Sequence, residues 1–442
     1  MANNPTPGLI IAAPSSGSGK TVLTLGILRA LKKQGVAVSS AKVGPDYIDP
    51  AFHTAAAGRQ CLNLDPWAMR PAVRAQVLDR ISRDSQMIVC EGVMGLFDGA
   101  TATTGSTADV AAWSGWPVVL VVDVRAQAAS AAAIVRGFDS HRTDVTIAGV
   151  IFNKVGSDRH AQILRDAMAD TLPHIPILGM VPRFEELTLP SRHLGLVQAS
   201  EHGELEQFLE QAASQVSEHV NLDQLRFAAV PSGISVTHDA TPALKPLGQR
   251  IAVASDTAFS FCYDHVLQGW RDAGAEITLF SPLAGEGPDT RADAVYLPGG
   301  YPELHGETLA SASGFLGGME DAASRGAAIY GECGGYMVLG KTIVDADGVG
   351  HAMTGLLALE TSFAKRSLHL GYRSVVTCAD SPLGPKGSAF MGHEFHYAST
   401  ISNPSDAALF LAKDSLGVDL GAMGMAAGNV AGSFFHLIDQ AG

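Results

Sequence analysis

No apolar stretch of this chain is long enough to span a bilayer. The strongest, "WPVVLVVDVRAQ" from Trp116, is cut by Asp123 and Arg125. Basic residues are also scarce: 30 Lys and Arg stand against 44 Asp and Glu, a net charge of −14. Phosphate backbones and anionic lipids are held by clustered Lys and Arg, so neither nucleic acid nor membrane is expected as a partner. Cysteine is sparse too. The five (Cys61, Cys90, Cys262, Cys333, Cys378) are odd in number, widely spaced and without a CxxC pair, which speaks against a disulfide framework and a structural zinc site. "MANNPTPG" has neither a basic segment nor an apolar core, so no secretory signal is expected and a cytoplasmic location is. Internal repeats and low-complexity tracts are lacking as well.

What is there is a long α/β text. A chain of 442 residues exceeds one compact core and suits two domains. Up to Gly179, "GLIIAA", "VAVSSAKV", "QMIVCEG", "PVVLVVDV", "IAGVIFN" and "IPILGMVP" are nearly continuous apolar runs separated by helical patterns, as parallel strands covered on both faces require. From Ala229 to Arg250 the text turns rich in Pro, Gly, Ser and Thr. We therefore expect a first domain over 1–230, a linker over 231–248 and a second α/β domain over 249–442. In the second, "RIAVASD", "AEITLFSP", "DAVYLPGG" and "AAIYGECGG" continue the strand–helix alternation, whereas "SVVTCAD" and "GSFFHLID" look antiparallel.

The first chemical signal is "LIIAAPSSGSGKT", a strand, a small-residue loop and a helix start. Gly17, Ser18 and Gly19 let successive backbone N–H groups turn inward at a helix N-terminus, Lys20 reaches phosphate, and the Thr21 hydroxyl suits Mg²⁺. Pro14 replaces the first glycine of the strict pattern, a position that mainly shapes the turn. Mg²⁺ needs further oxygen ligands. "KVGPDYIDP" offers Asp46 and Asp49, and "EGVMGLFDG" offers Glu91 and Asp98, all at strand carboxyl ends that share one sheet edge with the loop.

The second signal is "AAIYGECGGYMVLG". Glycines flanking Cys333 permit the tight strand-to-helix turn that exposes a nucleophile, and backbone donors there are expected to lower its pKa. His393, His396 and His436 are the candidate general bases, and the glycine pair of "YLPGGYPELH" suits an oxyanion pocket.

With "PGG", "GECGG" and a C-terminal histidine in order, the second half resembles a class I glutamine amidotransferase domain. "NLDPWAM", "LPSRHLGLVQA", "AFSFCYDH" and "GHEFHYAS" extend the resemblance to cobyrinic or hydrogenobyrinic acid a,c-diamide synthases across the whole chain, and the first half then resembles dethiobiotin synthetase-like P-loop domains. The resemblance implies a glutamine-hydrolysing, ATP-dependent ligase of cobalamin biosynthesis, with Cys333 as nucleophile and His436 as its base. Lys20, Thr21, Asp46 and Glu91 would serve ATP and Mg²⁺, Tyr47, Ile48 and Asp98 would orient the reacting carboxylate, and Asn153 would read adenine. The substrates would be a corrinoid tetrapyrrole acid and L-glutamine, and a homodimer is the implied assembly. One departure stands out. The family's acid two residues after the histidine is Ile438 here, which leaves a Cys333–His436 dyad or a substitute such as Asp439. Two rival readings are amidation of other corrin carboxylates, as in cobyric acid synthases, and a non-catalytic P-loop ATPase carrying an inactive glutaminase half.

Overall fold

A computed structural model describes residues 6–184, 191–192, 195–196, 198–234, 241–402 and 408–442. The chain divides into two α/β units, Met1–Trp67 with Arg74–His238, and Ala68–Val73 with Asp239–Gly442. The short excursion of Ala68–Val73 into the second unit has no signal in the sequence pattern. Part of the expected linker, 235–240, lies outside the described residues.

In the first unit the apolar runs form a parallel sheet: β1 (Pro7–Ala12), β2 (Val38–Val43), β3 (Leu62–Leu64), β4 (Met87–Glu91), β5 (Val118–Asp123), β6 (Ile147–Val155) and β7 (Ile177–Pro182), in the order β3-β2-β4-β1-β5-β6-β7. Val230–Pro231 adds a short antiparallel pair at the start of β1. Helices between the strands cover both faces, which is why Leu9 to Ala13 and Val118 to Val122 are almost wholly shielded from water. β3, inside "NLDPWAM", is too short for a periodicity to reveal. The chain order reverses at β1, whose neighbours are β4 and β5, so the carboxyl ends of β1, β2 and β4 open onto the crevice where ligands bind in such sheets.

The second unit contains a six-stranded sheet in which Glu276–Phe280, Arg250–Ala254, Ala294–Leu297, Ala328–Glu332 and Val430–Ser433 run parallel and Met425–Ala427 closes the edge antiparallel. The antiparallel text forms a separate five-stranded sheet, in which Ala389–His396 pairs with both His369–Thr377 and Phe435–Gln440. The chain leaves the first sheet at Ser433 and enters the second at Phe435, so a residue just past that junction is held by both sheets. His436 is such a residue.

Candidate functional site

The phosphate loop follows β1. Gly19, at φ 86°, caps the helix Lys20–Lys33 in the left-handed region, and a Cβ there would also strike the Asn153 amide. The loop is pinned from outside: Asn153 Nδ2 donates to the Ser18 carbonyl (2.9 Å), and the Ser18 hydroxyl donates to the Ser15 carbonyl (2.9 Å). Asn153 Oδ1 accepts from the Lys154 amide (3.0 Å), so the side chain expected to read adenine braces the loop in this state. A cavity of about 590 Å³ adjoins the loop, lined by Gly17, Gly19, Lys20, Thr21, Asp49 and Asn153 together with the cations Arg125, Lys154 and Arg183. Its positive lining and the open helix N-terminus suit a polyphosphate.

At one wall stands Glu91, fully buried at the end of β4. Thr21 Oγ1 donates to Glu91 Oε1 (2.6 Å), Lys42 Nζ donates to the same oxygen (2.9 Å), His53 Nε2 meets Oε2 (2.6 Å), and Lys20 Nζ lies 3.9 Å away. Burial alone would raise the Glu91 pKa, but Lys42, His53 and Lys20 overcome it and hold the carboxyl well below its usual range. Burial lowers Lys20, whereas Lys42 is raised, its desolvation outweighed by Asp49, Glu91 and Asp46. Lys42 Nζ also donates to Asp49 Oδ2 (2.6 Å), and Asp49 is pushed up to about 6 by burial and by Asp46. Asp49 is among the carboxylates expected on this edge, whereas Lys42 and His53 are additions that the motifs do not name. A lysine inside an apolar strand run is the one signal that points to them.

Asp46 Oδ1 accepts from the Ile48 and Asp49 amides (2.8 and 2.9 Å) and so starts the helix Asp49–Ala57. Tyr47 and Ile48 are buried beside it. Asp98 is exposed in the loop after β4, where its Oδ2 accepts from the Gly95 amide (3.0 Å), and Leu96 of that loop donates to the Ala13 carbonyl (2.8 Å). The loops bearing Asp46 and Asp98 thus follow strands that end on the phosphate-loop edge. Thr21, Glu91 and Asp46 offer hydroxyl and carboxylate oxygen only, the donor chemistry Mg²⁺ prefers, and the first two are already in contact.

In the second unit Cys333 sits at φ 46°, ψ −104°, outside the regions an L-residue ordinarily adopts, between the strand Ala328–Glu332 and the helix Gly334–Leu339. The turn is held by Cys333 N donating to Ser433 O (2.8 Å) and by Gly335 N donating to Pro298 O (3.1 Å). A Cβ on Gly335 would collide with the Leu297 carbonyl, which explains glycine there. Across the cleft, a Cβ on Gly299 would run into His436 Cε1 while standing 3.2 Å from His436 Nε2 and 3.3 Å from Cys333 Cβ. Imidazole and nucleophile therefore border the same point, beside the expected oxyanion turn.

Burial, with Glu303, raises Cys333 against the backbone N–H of Gly334, contrary to the lowering expected from the turn alone. Burial, with His393 and His396, lowers His436 to about 3, leaving a neutral imidazole able to take a proton. His393, likewise held near 3 by burial, lies on Ala389–His396, whereas His396 Nε2 meets Glu394 Oε1 (3.1 Å), which accepts Arg373 at its other oxygen. Asp439, the other acid near the end of the chain, is engaged by Arg70. Its Oδ2 accepts from the Arg70 amide (2.7 Å) and its Oδ1 from Arg70 Nε (2.9 Å), all within the second unit.

Comparison with known proteins matches residues 9–197 to the CobQ/CobB/MinD/ParA nucleotide binding domain and residues 250–441 to the CobB/CobQ-like glutamine amidotransferase domain. The chain is 54% identical to the hydrogenobyrinate a,c-diamide synthase of Rhizobium meliloti (strain 1021) over 98% of its own length and 99% of that protein's. It is 53% identical, with the same coverage, to the protein of that name from Brucella suis biovar 1. The Mesorhizobium japonicum protein is 48% identical over 98% of both chains.

Proposed function

The chain belongs to the hydrogenobyrinate a,c-diamide synthase family, and from that premise we propose that it amidates the a and c acetate carboxylates of hydrogenobyrinate with nitrogen from glutamine, at the expense of ATP. The carrying observation is the buried thiol on its strained turn against a neutral imidazole, in a chain whose other unit holds a phosphate loop. Similarity along the whole chain to hydrogenobyrinate a,c-diamide synthases favours the a and c carboxylates over those amidated by cobyric acid synthases.

The chemistry follows from the residues. Cys333 Sγ gives its proton to His436 and attacks the glutamine amide carbon. The tetrahedral oxyanion collapses, ammonia leaves with the proton from His436, and water then hydrolyses the thioester to glutamate. In the other unit a corrin carboxylate oxygen attacks the γ-phosphorus of ATP and ADP leaves. Ammonia displaces phosphate from the resulting acyl phosphate, a far better leaving group than oxide. Lys20 and Lys42 offset the charge that develops on the transferring group, and the loop amides orient it. Magnesium, held by Thr21, Asp46 and Glu91, would supply further charge neutralisation.

Two measurements test this. Oxygen-18 in the substrate carboxylates should appear in released phosphate, and Cys333→Ser should abolish glutamine-driven amidation while free ammonium still supports it. Unlabelled phosphate, or loss of both activities in a folded variant, would sink the proposal.

A further inference from the structure

The family pattern places an acid two residues after the catalytic histidine, and Ile438 stands there. Asp439 is engaged with Arg70. A different carboxylate faces the imidazole. Glu332, the residue before the nucleophile, is 1% exposed, and its Oε2 lies 3.6 Å from His436 Nδ1. Its Oε1 accepts from the Leu437 amide (3.1 Å), and Tyr296 Oη donates to Oε2 (2.8 Å).

Two consequences of the fold create this contact. The strand Ala328–Glu332 runs parallel to Val430–Ser433 with Glu332 opposite Ser433, so the chain that crosses to the antiparallel sheet passes over the end of the nucleophile strand. Adjacent strand residues ordinarily point to opposite faces, but the unusual backbone of Cys333 breaks the alternation. Both neighbours can then address one ring, Glu332 at Nδ1 and Cys333 on the side of Cε1 and Nε2. The carboxylate grips two consecutive residues, His436 through its ring and Leu437 through its backbone.

Resting on the glutaminase reading above, we propose that Glu332 is the positioning carboxylate of this site, fixing the His436 ring through Nδ1 so that Nε2 receives the Cys333 proton. The third member of the constellation thus comes from the nucleophile strand and not from the histidine strand. When the thiol proton reaches Nε2, the imidazolium is countered by Glu332 in its ionised form, which orients the ring without itself taking the proton. Among the described residues its ion-pair contact is His436 Nδ1, so the stabilisation of an ionised Glu332 and of the imidazolium is mutual.

A purely structural role is separable from this one. Glutamine at 332 keeps an oxygen for the Leu437 amide and a polar group for Tyr296 but removes the charge. In full-length Glu332→Gln, glutaminase kcat should fall about 100-fold with the glutamine KM within about threefold of wild type. Ammonium-driven amidation should be retained, and iodoacetamide labelling of Cys333, followed by peptide mass spectrometry, should slow at least about tenfold. Glu332→Asp, which keeps the charge, should recover part of the lost kcat. It also serves as the test should the glutamine variant not fold, an unchanged kcat in it then counting against the proposal. Unchanged kcat and labelling in folded Glu332→Gln would overturn the positioning role and leave the Cys333 reading standing. Absence of any glutaminase activity in the unsubstituted enzyme would overturn the parent reading, and this inference with it.

Discussion

Lys42 donates to Glu91 at 2.9 Å where both side chains are almost completely shielded from water. Such a pair stabilises the fold only while both members stay. Lys42→Met should therefore lower the stability of the first unit by about 3–5 kcal/mol, because Glu91 and Asp49 lose their shared cation. Glu91→Gln should instead leave glutaminase activity intact and reduce ATP-dependent amidation by about 100-fold or more. Denaturant melts and separate assays of the two half-reactions check both expectations, and equal loss of the two half-reactions in Glu91→Gln would contradict the assignment.

Much of this centre is legible without coordinates. The apolar runs and the Gly-Lys-Thr loop name the sheet edge, and Glu91 ends a run that can only be a covered strand. The loop-bracing role of Asn153 is not legible, because a strand-end asparagine looks the same whether it meets a base or a backbone carbonyl. Glu332 stayed hidden for a related reason. Its relation to His436 depends on two sheets meeting at Ser433–Phe435, a contact between positions about a hundred residues apart that no periodicity records. The thiol's raised pKa depends on surrounding burial, which a local Gly-x-Cys-Gly pattern does not carry.

Burial also sets how the second unit responds to pH. His265 is held near 4, and His393 and His436 near 3, all chiefly by desolvation. Folded pKa values below the unfolded value near 6.5 mean that the unfolded chain binds more protons, so stability is lost as pH falls below about 6.5. Glu332 acts in the opposite direction. Burial raises it to about 8, so the folded state binds the extra proton above the unfolded value near 4.5, and stability declines as pH climbs towards 8. The groups around it are Tyr296, Tyr330, Cys262 and His436, with Lys245 lining the small adjoining cavity. Hydrogen exchange of peptides covering Val430–Gln440 should show greatest protection near pH 6.5, where the three histidine contributions are complete and the Glu332 contribution is only partly lost, and Glu332→Gln should remove the decline above it. A decline that persists in that variant would assign it to another group.

The carboxylate state matters for turnover as well. An ionised Glu332 is the form that supports an imidazolium, so glutaminase kcat should rise with pH towards about 8 in the unsubstituted enzyme. The rise should flatten in Glu332→Gln. A pH profile of kcat and of kcat/KM for both decides the point, the second reporting the ligand-free enzyme to which the value near 8 belongs.

Gly299 is required by the site and not by its backbone. A methyl group there would occupy the space of His436 Cε1 and press on Cys333 Cβ. Gly299→Ala should therefore displace the ring from the thiol and cut glutaminase kcat about 100-fold, as misplacement on the order of 1 Å can do. Ammonium-driven amidation should survive. Retention of glutamine-driven turnover would mean that His436 is not the base.

Asp439 and Glu332 make opposite predictions although both are buried acids close to His436 in sequence or space. Asp439 spends its two oxygens on the amide and guanidinium of Arg70, which in turn donates to the Pro242 carbonyl (3.0 Å), tying Ala68–Val73 to the final strand. Its function in this geometry is to anchor a chain excursion. Asp439→Asn should leave the buried part of Arg70 without its counter-charge and destabilise the second unit by about 3–5 kcal/mol. Glutaminase kcat, measured well below the melting temperature, should stay within about threefold of the unsubstituted enzyme, since no proton or ring orientation at Cys333 depends on it. A large kcat loss with stability unchanged would move the third catalytic role from Glu332 to Asp439.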